Sequence, residues 1–314
     1  AVCLCFIGNA SAQWVVSDPG NLAQGIGISN TPQLCGKELT DMYASDSNDI
    51  LISCGGGELM CEILEYVDWN KVKAAKPKWF MGYSDNTNFT FLLNTIADTA
   101  SIYGPCAAAF GADTLHSSHK DALDVLMGKK LTVSGYDMWE KESLKCEDNP
   151  TPEYNLTENK ILKCFVGDKE CVTPVADMDE STGIHVSGRV VGGCMDCLVN
   201  FLGTEFDYVD EFNEKYKNDG IIWFLESCDL NVFAIRRAMW QMEKAGWFKY
   251  VKAFVIGRPY VFGQEHTMKS MRSWEHMKRS VMESRVFTSL CGHRQRNVSR
   301  WLAILITGMV PVMR

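Results

Sequence analysis

The segment Trp79-Phe80-Met81-Gly82-Tyr83-Ser84-Asp85-Asn86 places a serine just after an apolar run and just before a helical pattern. A serine on a tight turn between a buried strand and a helix has the geometry of a nucleophile elbow. There the hydroxyl stands above the sheet edge, and the next backbone N–H, that of Asp85, points toward a developing oxyanion. The helix N-terminus adds positive potential at the same place. Gly82 permits the sharp approach. The same residues also fit an ordinary helix start, because Ser and Asp are favoured N-caps. Upstream, Cys54-Gly55-Gly56-Gly57-Glu58 closes another apolar run. Glycine N–H groups with no Cβ beside them can approach a substrate carbonyl, so this run could complete an oxyanion hole beside Ser84. A plain tight turn is the alternative. The run is neither GxGxxG nor a P-loop, since no Gly-Lys-Ser/Thr follows.

The surrounding pattern supplies elements that could hold such a turn. Residues 49–54 (DILISC) make a short β-branched strand, followed by a helical pattern from Glu58 through Tyr66. A short helix over 71–76 ends at Pro77, and Trp79–Met81 is the next buried strand. From Asn86 to Ala97, Phe89, Leu92, Leu93 and Ile96 recur at helical spacing. Strands alternating with helices predict a parallel sheet covered by helices, so residues 1–114 are expected to be an N-terminal α/β domain. Residues 115–182 form a connecting region, charged over 138–180 and carrying Pro150, Pro152 and Pro174. A second domain over 183–314 contains a strand at Ile184–Val191 and a helix near Cys197–Leu202. A buried strand at Ile221–Leu225, an amphipathic helix over 232–246 and a strand at Val251–Ile256 follow.

Composition excludes several classes. The chain has 314 residues and a net charge of −8, with no basic run, so it lacks the electrostatic footprint of a nucleic-acid binder. No apolar stretch reaches the ~20 residues that span a bilayer, and no membrane partner is expected. The opening AVCLCFIGNA has no basic flank and fits a buried strand better than a signal peptide. Thirteen cysteines are an odd count, and Cys54, Cys106 and Cys197 sit inside apolar runs. Cys194-Met-Asp-Cys197 has no second pair or clustered histidine to complete a zinc site. Buried structural thiols in a reducing cytoplasm fit better than a disulfide framework, and no metal or cofactor is expected.

Taken in order, ILISCGGGELMCEILEYVDW, KPKWFMGYSDNTNFTFLLNT and IYGP resemble the serine peptidases of the LD-carboxypeptidase family. So do GRVVGGCMDCLVNFLGTEFD, IIWFLESCDLNVFAIRRAMWQMEKAGWF and AFVIGRP. The likeness runs over 28–113 and 184–262, and includes the muramoyltetrapeptide carboxypeptidase and microcin-immunity branches. It implies an N-terminal Rossmann- or flavodoxin-like parallel sheet bearing the elbow, and a smaller C-terminal α/β domain with a barrel-like sheet. It also implies Ser84 as nucleophile, Glu226 in FLES as the acidic triad member, and Gly56 or Gly57 with Asp85 as oxyanion donors. Taken alone, Glu226 is an ordinary surface or ion-pair carboxylate. The family's histidine lies in a Gly-His step, a form matched here by His293 in Leu290-Cys291-Gly292-His293. His116, His119, His185, His266 and His276 are expected to be solvated or packed.

The resemblance implies a serine carboxypeptidase that cuts an L,D-peptide bond in murein-type tetrapeptides, with the nucleophile in a cleft between the domains. An alternative is an immunity-type amidase acting on peptidyl- or aminoacyl-nucleotides. The ending RQRNVSRWLAILITGMVPVMR departs from the family pattern. If residues 298–307 are out of frame, the chain is instead a binding protein without a working histidine. Arg258 is a candidate clamp for a substrate carboxylate. The family also implies a homodimer. Met239, Trp240, Met242 and Trp247 could form an isologous contact or fill the C-terminal core.

Overall fold

The computed structural model describes residues 31–112, 114–149, 152–160 and 186–257, and the strands at 14–17, 162–166, 169–170 and 302–306. The chain divides into two compact units, one built on residues up to Asn159 and the other on Lys160–Met309. Along the first unit run β1 (Trp14–Ser17), α1 (Pro32–Ala44), β2 (Ile50–Ser53), α2 (Trp69–Ala74), β3 (Trp79–Gly82), α3 (Thr87–Thr95) and β4 (Ile102–Tyr103). They are followed by α4 (Ser117–Leu126) and two strands, β5 (Met138–Glu140) and β6 (Leu156–Asn159).

Strands β1 to β4 form one sheet in that order, with every neighbour parallel. All of β2 is buried, because helices cover both faces. Leu51 and Phe80 pack on one face with Leu39 and Tyr43 of α1 and Phe89 and Leu93 of α3. Ile50, Ile52 and Met81 face the other way, onto Leu126 of α4. Phe89 anchors the first side, meeting Phe80 edge-on at 4.8 Å and Tyr43 at 5.6 Å. Local caps start the helices, α2 at Trp69 rather than at the expected Lys71. Thr31 accepts from Leu34 N–H with Pro32 in the first turn, and Asp68 accepts from Lys71 N–H at 3.0 Å. The helical pattern expected from Glu58 to Tyr66 is a 3-10 run over Met60–Tyr66. Its three-residue repeat stacks buried Met60 over buried Ile63.

Beyond the sheet, His119 of α4 is buried and joins Tyr154 Oη through Nε2 at 2.9 Å. His116 caps the same helix, accepting Ser118 N–H at its Nδ1. Burial is the main cause that pulls both imidazoles below the ordinary 6.5, and their neighbouring cations, Lys120 for His116 and His116 for His119, add to it. Below pH 6.5 the unfolded chain takes up protons that the folded one refuses, so this contribution to stability is present above that pH and fades as pH falls. We expect melting temperature to decline on acidification through this range, with a shallower decline in His119→Gln. Equal slopes in the two proteins would reject the assignment to His119.

The second unit contains β7 (Leu162–Val166), β8 (Lys169–Glu170), β9 (Arg189–Cys194), α5 (Met195–Leu198), α6 (Val209–Tyr216) and β10 (Ile221–Glu226). Then come α7 (Val232–Lys244), β11 (Val251–Gly257) and β12 (Leu302–Ile306). The sheet order is β8-β7-β12-β11-β10-β9. β9 to β12 are mutually parallel, while β7 and β8 are antiparallel additions. Among the described residues no ladder joins β8 to β9. The stretch that departs from the family pattern includes β12, an interior strand paired on both sides.

Trp223 and Trp247 stack at 5.6 Å in the core of this unit, and Phe248 meets Trp223 edge-on. Trp247 Nε1–H is satisfied by Asp207 at 2.9 Å. Gly192 lies at φ +152, and a Cβ there would fall 1.8 Å from Phe224 O, so β9 can meet β10 only with glycine at that point. The helix near Cys197–Leu202 is α5 continued by a 3-10 turn over Val199–Phe201. On α7, Met239 and Met242 are buried, as is Trp247 beyond it, whereas Trp240 is 54% exposed. Three of the four residues considered for a dimer contact therefore belong to this unit's own core. Among the described residues no helix is long and apolar enough to cross a membrane.

Candidate active site

The strand β3 ends at Gly82, and Tyr83 is still extended. Ser84 then turns to φ +59, in the left-handed region. A non-glycine residue there costs about 1–2 kcal/mol, so the surrounding structure must hold it. A 3-10 turn over Ser84–Asn86 leads directly into α3, whose N-cap position is taken by Asn86 rather than Ser84. The serine thus stands at the strand-to-helix corner in the conformation of an elbow, not in that of a plain cap.

Several contacts fix the corner. A Cβ at Gly82 would lie 2.7 Å from Asn86 Cγ, so glycine alone lets the chain fold back so closely. Asn86 Nδ2 donates to Gly55 O at 2.8 Å and to Tyr83 O at 3.0 Å, tying the glycine loop to the elbow. A Cβ built on Gly56 would lie 3.4 Å from Ser84 Cβ and 3.5 Å from its Oγ, so Gly56 faces the serine side chain across a gap about one methyl group wide. Gly57 is exposed in the same loop. Asp85 is buried, and its carboxylate turns inward to accept Met60 N–H at 2.9 Å and Asn88 Nδ2–H at 2.8 Å. Its side chain is therefore a structural tie between the elbow and the 3-10 run. Ser84 N–H donates to Tyr103 Oη at 2.8 Å.

Ser84, Gly56 and Asp85 are thus brought together in the first unit, at the C-terminal ends of β2 and β3, the edge where open parallel sheets place ligands. Glu226 belongs to the second unit. It is half-buried, ends β10, and stands opposite Cys194 of β9. The loop that follows it is held by Asp196. One Asp196 oxygen accepts Cys228 N–H at 3.0 Å and Ser227 Oγ–H at 3.2 Å, and the other accepts Asp229 N–H at 2.9 Å. Cys194 Sγ also donates to this carboxylate at 3.3 Å. A hydrogen bond with Cys197, then burial, then the Glu226 charge push the Cys194 thiol strongly upward, so it stays protonated. Cys194 and Cys197 are buried thiols, and no group of three His, Cys, Asp or Glu among the described residues could hold a metal ion. His293 and Arg258 lie outside the described residues.

Tyr103, Asn86 and Asp196 were not singled out from the sequence. Tyr103 falls within the quoted IYGP segment, but its partner is nineteen positions away and no local pattern marks it.

The LD-carboxypeptidase N-terminal domain matches residues 10–104, and the LD-carboxypeptidase C-terminal domain matches residues 187–306. The second match takes in β12. The microcin C7 self-immunity protein of Escherichia coli is 22% identical over 236 residues, covering 72% of this chain. The aligned part spans only 60% of that relative's own length. A structure of that immunity protein in complex with glutamyl sulfamoyl guanosine superimposes with a TM-score of 0.63 at 19% identity, covering 92% of this chain and 76% of the other. The muramoyltetrapeptide carboxypeptidase from Oxalobacter formigenes gives a TM-score of 0.52 at 17% identity, covering 88% of this chain and 72% of the other. At these identities the structures establish the fold.

Proposed function

The chain belongs to the LD-carboxypeptidase family, and on that premise we propose that it is a serine hydrolase of short peptides. It would release the terminal D-amino acid from a murein-type tetrapeptide by cutting an L,D-peptide bond. The observation that carries this reading is Ser84 at φ +59 with Gly56 facing its side chain.

Ser84 Oγ attacks the scissile carbonyl and passes its proton to His293, which Glu226 orients and stabilises when charged. The tetrahedral oxyanion is met by backbone N–H groups of Gly56 or Gly57 and of Asp85. Collapse expels the D-amino acid, whose amine takes the proton from the imidazolium. Water then attacks the acyl-enzyme by the same route. These steps draw on side chains and backbone alone. Arg258 is the cation proposed for the substrate carboxylate.

A second substrate class follows from the immunity protein solved with glutamyl sulfamoyl guanosine, a ligand that joins an aminoacyl group to a nucleoside. Ser84 could attack an amide in such a molecule by the same chemistry. Incubation with a tetrapeptide ending in L-Lys-D-Ala or diaminopimelyl-D-Ala, and separately with an aminoacyl sulfamoyl nucleoside, separates the two by mass spectrometry. Release of D-Ala supports the carboxypeptidase. Cleavage of the nucleoside alone supports the amidase, and no turnover of either rejects the hydrolase. We further propose a homodimer in a reducing cytoplasm; light scattering that returns the mass of one chain at micromolar concentration removes the dimer.

A further inference from the structure

We propose that Tyr103 is the positioning residue for the nucleophile, its hydroxyl accepting the Ser84 N–H and so holding the serine in the left-handed conformation that presents Oγ. The proposal rests on the hydrolase reading above. Tyr103 ends the short strand β4, opposite Gly82 in the parallel ladder, and Gly104 N–H continues that ladder to Gly82 O at 3.3 Å. The phenol therefore starts from a backbone already registered on the end of β3 and reaches past Tyr83 to Ser84, meeting its N–H at 2.8 Å.

The ties of Asn86, Asp85 and Gly82 described above act beside Ser84 rather than on its own N–H. Asn86 holds the carbonyls of Gly55 and Tyr83, Asp85 is tied to Met60, and Gly82 makes room for the turn. Tyr103 contacts the peptide group that opens the strained residue. This division of labour suits the chemistry. In an elbow the oxyanion is served by the N–H after the nucleophile, here that of Asp85, so the Ser84 N–H can be committed to position without competing with substrate. Removing the acceptor lets φ of Ser84 drift from its strained value and moves Oγ from the place it holds facing Gly56. A displacement of this kind, on the order of 1 Å, is enough to cost about a hundredfold in rate.

The test is Tyr103→Phe, which deletes only the hydroxyl and keeps the ring that packs at β4. Two rates are read on the intact chain, well below its melting temperature: phosphonylation of Ser84 by a fluorophosphonate, and steady-state turnover of the tetrapeptide. We expect both the labelling rate and kcat to fall by about tenfold to a hundredfold. KM should stay within about twofold, because substrate binding is not the function lost. A residue with only a structural role would lower the melting temperature and leave the labelling rate of the folded protein unchanged. If the wild-type chain reacts by either measure and Tyr103→Phe matches it, the positioning role is overturned and the hydrolase stands. If the wild-type chain neither labels at Ser84 nor turns over peptide, the nucleophile assignment falls and this proposal falls with it.

Discussion

Ser84→Ala should abolish turnover, lowering kcat by on the order of 10⁵–10⁶-fold, while the protein melts within a degree or two of the wild type. The loss is large because the proposed mechanism forms its acyl-enzyme on Ser84 Oγ. The small thermal effect has its own reason. Alanine and serine pay a similar steric penalty at φ +59, and the bonds of Tyr103, Asn86 and Asp85 described above can form without the hydroxyl. Activity persisting at a tenth of the wild-type rate would place the nucleophile elsewhere. A collapse in melting temperature would mean that the hydroxyl serves the fold instead.

The second large effect concerns the two groups that would work the proton. Glu226→Gln keeps the shape of the β10 terminus but removes the charge that would orient an imidazole, and a loss of about 10⁴-fold in kcat is expected. His293→Ala should cost nearly as much as Ser84→Ala, because removing one member of a cooperating triad removes most of the acceleration. Combining Ser84→Ala with His293→Ala should then add little. Turnover that survives His293→Ala at its normal rate rejects that histidine as the base, and leaves Ser84 and Glu226 to be judged on their own variants.

How far the sequence carried these assignments depended on the range of the contacts involved. Apolar runs report burial directly, so β2, β3, β10 and β11 were legible, as was α7, although its buried face runs through Ile235, Met239 and Met242 and leaves Phe233 and Trp240 exposed. The elbow was legible because a glycine, a serine and a helix start fall next to one another in the chain. Glu226 was a candidate only by family resemblance. Burial alternates along β10, so a half-buried carboxylate at its end looks like any other strand terminus. Contacts between distant segments left no local trace. The Tyr103 hydroxyl on Ser84 and the Asp196 carboxylate around residues 227–229 are examples. The inward turn of Asp85 was missed for the same reason, since its partner Met60 lies twenty-five positions away. On α7, periodicity identified an apolar face but could not say whether another subunit or the unit's own strands would cover it.

During synthesis, β7 and β8 leave the ribosome long before the strand that joins them to the sheet. The intervening parallel strands β9, β10 and β11 can pair with one another as they emerge, yet β11 keeps one side open until Leu302–Ile306 has been made. Only then does β12 insert between β11 and β7 and connect segments separated by well over a hundred positions. Contacts of such high order are slow to form, and open strand edges attract other chains while they wait. The first unit faces no such delay, since its strands β1 to β4 pair in the order in which they are translated. Yield from the cell is therefore expected to be limited by the closing of β12, and a chaperone that shields β-edges should raise the soluble fraction.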